Sequence, residues 1–223
     1  MIWDDRGFLI SKFKYNENSV IGDFFTLNHG RTSGIIFGAT SNKIRGYLQI
    51  GNLFQLNCTL KNESKIGSFK VEIINPITPF FFNNRKKLHC ITAGMSMIKL
   101  LTAENQKNYK IFEVINDFFT ILKNENWIKN YILWELNLLK LVGYDLELKK
   151  IVNKENKNDK IEYFVENSNT RKFVPAFLVE TNNNNVETRE LLNGLKLVTN
   201  YLEKNILIPN NINLPVQRTD FIN

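Results

Sequence analysis

The 223-residue chain is 43% hydrophobic and 23% charged, an ordinary globular balance, and is long enough for one large domain or two small ones. No apolar run approaches the ~20 residues a membrane helix needs. Asp4 and Asp5 stand where a secretory signal would carry positive charge, so the chain reads as cytoplasmic and complete from Met1. The net charge of +7 and pI near 9.3 favour an anionic partner through long-range attraction rather than base reading. Cys58 and Cys90 lie too far apart for a local metal knuckle, and a reducing compartment disfavours a disulfide. Heavy use of Asn, Lys and Ile follows from an AT-rich genome, so part of the lysine content is compositional.

Residues 6 to 75 read as five strands. Gly7 to Tyr15 alternates, with Phe8, Ile10 and Lys12 on one face and Leu9, Ser11 and Phe13 on the other. Asn16-Glu17-Asn18 turns into Ser19 to Leu27, and Asn28, His29 and Gly30 turn into Arg31 to Phe37. A polar loop from Ala39 to Gly46 carries Lys43 and Arg45 without apolar periodicity, and reads as flexible and free of core residues. Strands from Asn52 to Leu60 and from Gly67 to Ile74, joined by a turn at Asn62-Glu63-Ser64, complete the set. Five short antiparallel strands fit a small Greek-key barrel, and propensity alone leaves an OB and an SH3-like barrel both open.

Pro76 and Pro79 end the barrel, since proline cannot donate to a strand ladder. The period then changes from 2 to 3.6. Leu88, Ile91, Met95, Ile98 and Leu101 form one helical stripe; Ile111, Val114, Ile115, Phe118, Phe119 and Leu122 form a second. A third helix, about Asn126 to Val142, is apolar on most of its circumference, and Gly143 is its expected cap. Glu135 falls in the row of Ile128, Ile132 and Leu139, so it is expected to face inward and to be paired. From Leu148 to Asn185 the pattern weakens, with a hairpin at Ile161 to Val165 and Lys172 to Val174 and a run of asparagines expected to be mobile. Leu191, Leu195, Val198 and Leu202 mark a last helix, and Pro209 and Pro215 an extended tail. The expected organisation is α+β: a five-stranded barrel at 1–78, a helical bundle at 79–147 and 186–223, and a small irregular insertion at 148–185.

No Walker-type loop, His-Glu-x-x-His or Gly-x-Ser-x-Gly elbow is present, and no enzyme is expected. His89 and Cys90 are helix neighbours pointing about 100° apart, and His29 reads as a turn residue. Asp4 and Asp5 read as an exposed acidic terminus. The cationic set is Lys12, Lys14, Arg31, Lys43 and Arg45, with Phe13, Tyr15, Phe37 and Tyr47 as stacking candidates.

The order His29-Gly30-Arg31, the Ser-x-Lys-x-Arg of Ser41 to Arg45 and Leu48-Gln49-x-Gly51-Asn52-Leu53 resemble the N-terminal domain of the RecO family of bacterial recombination mediators. The resemblance continues through Gly67-x-Phe69-x-Val71-Glu72, Trp134-Glu135-Leu136-x-Leu138-Leu139 to Gly143-Tyr144, Pro175-Ala176-Phe177-Leu178 and Leu214-Pro215-x-x-Arg218. It is nearest to alphaproteobacterial forms, and it tips the barrel to the OB type. It implies a non-catalytic DNA-repair protein, nucleoid-associated, that binds single- and double-stranded DNA and anneals complementary strands. With RecR, such a protein loads RecA onto DNA covered by single-strand binding protein, whose acidic, phenylalanine-ended tail it also binds. Trp127, Lys129, Tyr131, Trp134 and Lys140 are the candidates for that tail.

Three departures stand out. Many members carry a four-cysteine zinc site in the insertion, whereas this chain has no cysteine after Cys90, so no metal or other cofactor is expected. Phe37 and Thr40 stand where relatives often have basic residues. Ile132 and Leu133 replace one or two arginines of the central helix, with Lys129 and Lys140 as substitutes. Two rival readings keep the same barrel: a protein-interaction adaptor, and an RNA-binding OB protein.

Overall fold

The computed structural model describes residues 2–60, 66–157, 160–167, 170–180 and 186–222. The expected turn at Asn62-Glu63-Ser64 and the asparagine run at 182–185 lie outside the described residues. The chain forms two compact units, one of Met1–Phe119 with Pro215–Phe221 and one of Thr120–Leu214.

In the first unit, β1 (Ile2–Lys14), β2 (Ser19–Thr26), β3 (Gly30–Phe37), β4 (Leu53–Thr59) and β5 (Gly67–Asn75) close into a barrel of order β1-β2-β3-β5-β4. β1 is long enough to pair with β2 through its second half and with β4 through its first, which closes the ring. This strand order, with a parallel β3–β5 seam, is that of the OB fold. Inward residues Leu9, Phe24, Ile36, Phe54, Leu56, Phe69 and Val71 fill the core in the expected alternation. The outer face of β1 is apolar as well. Phe8 lies 5.2 and 5.7 Å from the rings of Phe112 and Phe119. Those residues sit on α3 (Tyr109–Ile121), which follows α2 (Arg85–Leu101). Asn84 caps α2, accepting a 3.1 Å bond from the Lys87 amide.

Three expectations for this unit are corrected. The basic loop is not free of core residues: it contains the one-turn helix α1 (Asn42–Arg45), Ala39 enters the barrel core and Ile44 packs against it. A single turn is too short to leave a readable period. Asp5 is buried rather than part of an exposed terminus, because β1 begins at Ile2 and pairs Asp5 with Leu56. The C-terminal segment is not extended throughout, since Pro215 leads into α7 (Val216–Ile222), and a proline beside the first helical turn removes no needed donor.

In the second unit, α4 (Trp127–Leu141) packs with α6 (Thr188–Leu202). Gly143 closes α4 as expected: at φ +94° it lets the Tyr144 amide reach the Leu139 carbonyl at 2.8 Å and its own amide the Lys140 carbonyl at 3.1 Å. Glu135 is fully buried, as its row predicts, and accepts the Tyr131 hydroxyl at 3.1 Å. A short α5 (Leu148–Ile151) precedes the insertion. The insertion is a three-stranded sheet, not a hairpin: β6 (Asn153–Lys157) adds to β7 (Lys160–Asn167) and β8 (Thr170–Val174). β6 is exposed along its whole length, so nothing apolar in its sequence marks it as a strand.

Candidate nucleic-acid interface

The segment after β3 presents its cations outward because its apolar residues are held inward. Ala39, Ile44, Tyr47 and Leu48 all pack on the barrel core, which leaves Lys43 and Arg45 exposed on α1. The Lys12 ammonium reaches the Leu48 carbonyl. Burial, and then the charge of Arg45, lower the Lys12 ammonium below its ordinary value, so these two cations share one patch. Lys14 lies two residues further along the same strand face and is exposed. Tyr15 and Phe37 are 54% and 61% exposed and flank Ser19, which pairs with Phe37 and accepts the Tyr15 amide at 3.0 Å. Tyr47 is different, half-buried and tilted on Phe54 at 6.1 Å.

Arg31 is held differently from those cations, although it lines a cavity of about 520 Å³ together with Lys12 and Lys99. Its Nε donates to the Thr102 carbonyl at 2.9 Å, and its Nη1 lies 3.2 Å from Glu104. It lines a groove of about 810 Å³ on the barrel, with Trp3, Phe13, His29, Lys99 and Lys107. Among the described residues the β3–β5 ladder pairs only Gly34 and Ile35 with Gly67 and Ser68, and Arg31 instead forms a parallel bridge with Glu104. Trp3 stacks on His29 with ring centroids 4.0 Å apart, and His29 Nδ1 lies 2.9 Å from Asp5. Burial alone would raise the Asp5 carboxyl. Hydrogen bonds from His29 and from the Asn28 and Arg6 amides outweigh it and hold the carboxyl low. Lys99 bonds Asp23 at 2.5 Å and lies 4.6 Å from the Phe13 ring centroid. Lys107 donates to the Asn28 side chain at 3.0 Å and has no acidic partner among the described residues. Trp3, Lys99 and Lys107 were missed by the sequence reading, which took His29 only as a turn residue. Lone residues scattered over the first 107 positions carry no spacing signal.

The five candidates for an acidic tail are not gathered on one surface. Tyr131 and Trp134 are buried and stacked at 5.8 Å, and Trp127 is half-buried beside them in sequence row. Lys129 and Lys140 share an azimuth about 200° from that row on a 3.6-residue helix. Lys129 is itself buried, and Lys140 pairs with Asp145 at 3.1 Å. Among the described residues no three His, Cys, Asp or Glu side chains are placed to hold a metal ion. Burial pushes the Cys58 thiol up to about 11, the behaviour of an inert structural cysteine. No helix among the described residues is long and apolar enough to cross a membrane.

Comparison with known families matches residues 1–77 to the description "Recombination protein O N terminal" and residues 83–210 to "Recombination protein O C terminal". The chain is 29% identical over 221 residues to the DNA repair protein RecO of Rickettsia canadensis, covering 93% of this chain and 90% of that protein. It is 27% identical over 239 residues to the RecO of a Wolbachia strain from Drosophila simulans, covering 98% of each. Over 146 residues, 66% of this chain and 61% of its relative, it is 33% identical to the RecO of Rickettsia rickettsii. A solved asparaginyl-tRNA synthetase from Entamoeba histolytica overlaps with a TM-score of 0.29 and 11% identity over 96% of this chain and 59% of that one, too little to carry an argument. An OB-type barrel with a helical domain and relatives of this kind define a protein of DNA repair and recombination. The chain belongs to the RecO family.

Proposed function

We propose that this chain is a recombination mediator that binds single- and double-stranded DNA through the α1 side of its barrel. It anneals complementary strands and, with RecR, helps load RecA onto DNA covered by single-strand binding protein. The observation that supports the DNA-binding part is the closeness of Arg45 to Lys12, with Lys43 exposed on α1, Lys14 exposed on β1 and the exposed rings of Tyr15 and Phe37 on either side of Ser19. Cations that track a phosphate backbone beside aromatic faces that accept bases are what a single strand requires. The partner roles rest on family membership. Recovery of RecR and single-strand binding protein on this chain as bait from a cell extract is their test.

The DNA site has a direct test. Lys43→Ala with Arg45→Ala should weaken binding of a labelled oligonucleotide on the order of tenfold at low salt, equally across sequences. The slope of log affinity against log salt should fall by about 1.4, for two phosphates of a single strand. The fold should survive, because both side chains are exposed and the core positions Ala39 and Ile44 are untouched. Unchanged affinity and slope would remove this patch as the site. Negligible binding by the unaltered protein at physiological salt would favour an adaptor instead.

A further inference from the structure

The barrel unit carries a second basic and aromatic surface that the α1 patch does not include. From Ile73 to Ala103 the sequence contains no Asp or Glu, while Arg85, Lys86, Lys87 and Lys99 supply four cations. Three of these are consecutive at the start of α2. Immediately before them, the turn Thr78–Phe81 buries Phe81 and turns its neighbours outward: Phe80 is 76% exposed and Phe82 54%. Successive tight turns keep the segment compact, with the Phe80 amide on the Ile77 carbonyl at 3.2 Å, Phe82 on Pro79 at 3.3 Å and Asn84 on Phe81 at 2.8 Å. Arg85 and Lys86 are exposed, and Arg85 Nε donates to His89 at 3.3 Å, which orients its guanidinium along the helix.

Folding alone gives no reason for this composition. Two phenyl rings left in water forgo about 25 cal/mol for every Å² of apolar surface they would otherwise bury. Cations in the first turn of a helix oppose its dipole, and no acidic side chain there offsets them. A ligand that is both anionic and aromatic compensates both at once.

We propose that Phe80, Phe82, Arg85 and Lys86 form a second contact for single-stranded nucleic acid, with bases on the two rings and phosphates on the two cations. The inference rests on the DNA-binding reading above and extends it to a second strand segment held by the same unit. Charge complementarity selects a polyanion. The outward rings select bases over an acidic peptide, whose apolar side chains need a concave receptor. None of the three cavities described on this chain is lined by these four side chains.

The test is anisotropy of a labelled oligodeoxythymidine against the full chain over a range of salt concentrations. Phe80→Ala with Phe82→Ala should lower affinity on the order of tenfold with the salt slope unchanged, because stacking releases no counterions. Arg85→Glu with Lys86→Glu should lower affinity and reduce the slope by about 1.4. Its melting temperature should be equal or higher, since carboxylates are favoured at that end of a helix. Patch variants that bind like the unaltered protein, while the Lys43 and Arg45 variant is weakened, overturn this second contact and leave the first standing. If the unaltered protein binds no oligonucleotide even at low salt, both readings fall. Loss of an acidic, phenylalanine-bearing peptide with unchanged DNA binding also overturns the proposal, because the patch then takes a polypeptide.

Discussion

Replacing Gly30 with alanine should cost about 3–5 kcal/mol of folding stability, the sum of left-handed strain and a backbone collision. Gly30 opens β3 at φ +68°, a region that other residues enter at a cost. A Cβ built there would lie 2.0 Å from the Gln106 carbonyl oxygen and 2.4 Å from its carbon. Backbone cannot swing aside as a flexible side chain would, so either the β2–β3 hairpin or the α2–α3 connection must shift. That connection is tied to β3 at this point, since the Asn105 amide bonds the Arg31 carbonyl at 2.8 Å. The hairpin is no freer, because Thr26 Oγ1 donates to the Gly30 carbonyl at 3.0 Å and accepts the His29 amide at 3.1 Å. Gly38 provides the comparison: its φ is +67°, but a Cβ there would meet nothing within 4 Å. Gly38→Ala should therefore cost only about 1–2 kcal/mol, the strain alone. Urea midpoints for the two variants measure the difference, and equal midpoints would mean that the Gln106 approach carries no weight.

What could be read in advance followed the length of each pattern. Phe69-x-Val71 and the stripes from Leu88 and Ile111 repeat over enough residues to declare a strand or a helix, and they landed where the pattern put them. Patterns failed where polar residues took structured positions. Asp4 and Asp5 hide the first half of β1, because a buried carboxylate looks like a terminus until the donors around it are known. β6 hides in a Lys/Asn/Glu stretch because its backbone ladder with β7 defines it, without help from its side chains.

The candidate interface divides along the same line. Lys43 and Arg45 were visible as cations in a loop without core periodicity; both are exposed, and Arg45 lies close enough to Lys12 to lower its ammonium. Arg31 looked equivalent in sequence, but its partner Glu104 lies 73 positions away, and pairing at that separation leaves no local trace. Trp3 and Lys99 reach the groove for the same reason: closure of the barrel and the return of α2 bring them there.

The second large effect concerns Asp23. Its carboxylate accepts the Ser11 hydroxyl at 2.5 Å and the Ser33 hydroxyl at 2.6 Å, and it lies 2.5 Å from the Lys99 ammonium. It therefore joins β1, β2 and β3 to α2 through one buried side chain. Asp23→Ala should cost about 3 kcal/mol at neutral pH, the low end for removing one partner of a buried pair. Lys99 keeps 35% of its side chain exposed, so solvent screens part of the loss. The same site sets a pH dependence. Burial alone would raise the Asp23 carboxyl, but Lys99, Ser11 and Ser33 together hold it below its ordinary value of 3.8. The folded chain then binds its proton less readily than the unfolded chain does. The contribution is complete above the unfolded value and is lost as pH falls through the folded one. The stability gap between the unaltered protein and Asp23→Ala should thus be constant near neutral pH and narrow as pH falls below the ordinary carboxyl value of 3.8. Asp5, also held low, titrates alike in both proteins and cancels in the comparison. A gap that stays constant through that fall in pH would show that Asp23 contributes through packing and not through its charge.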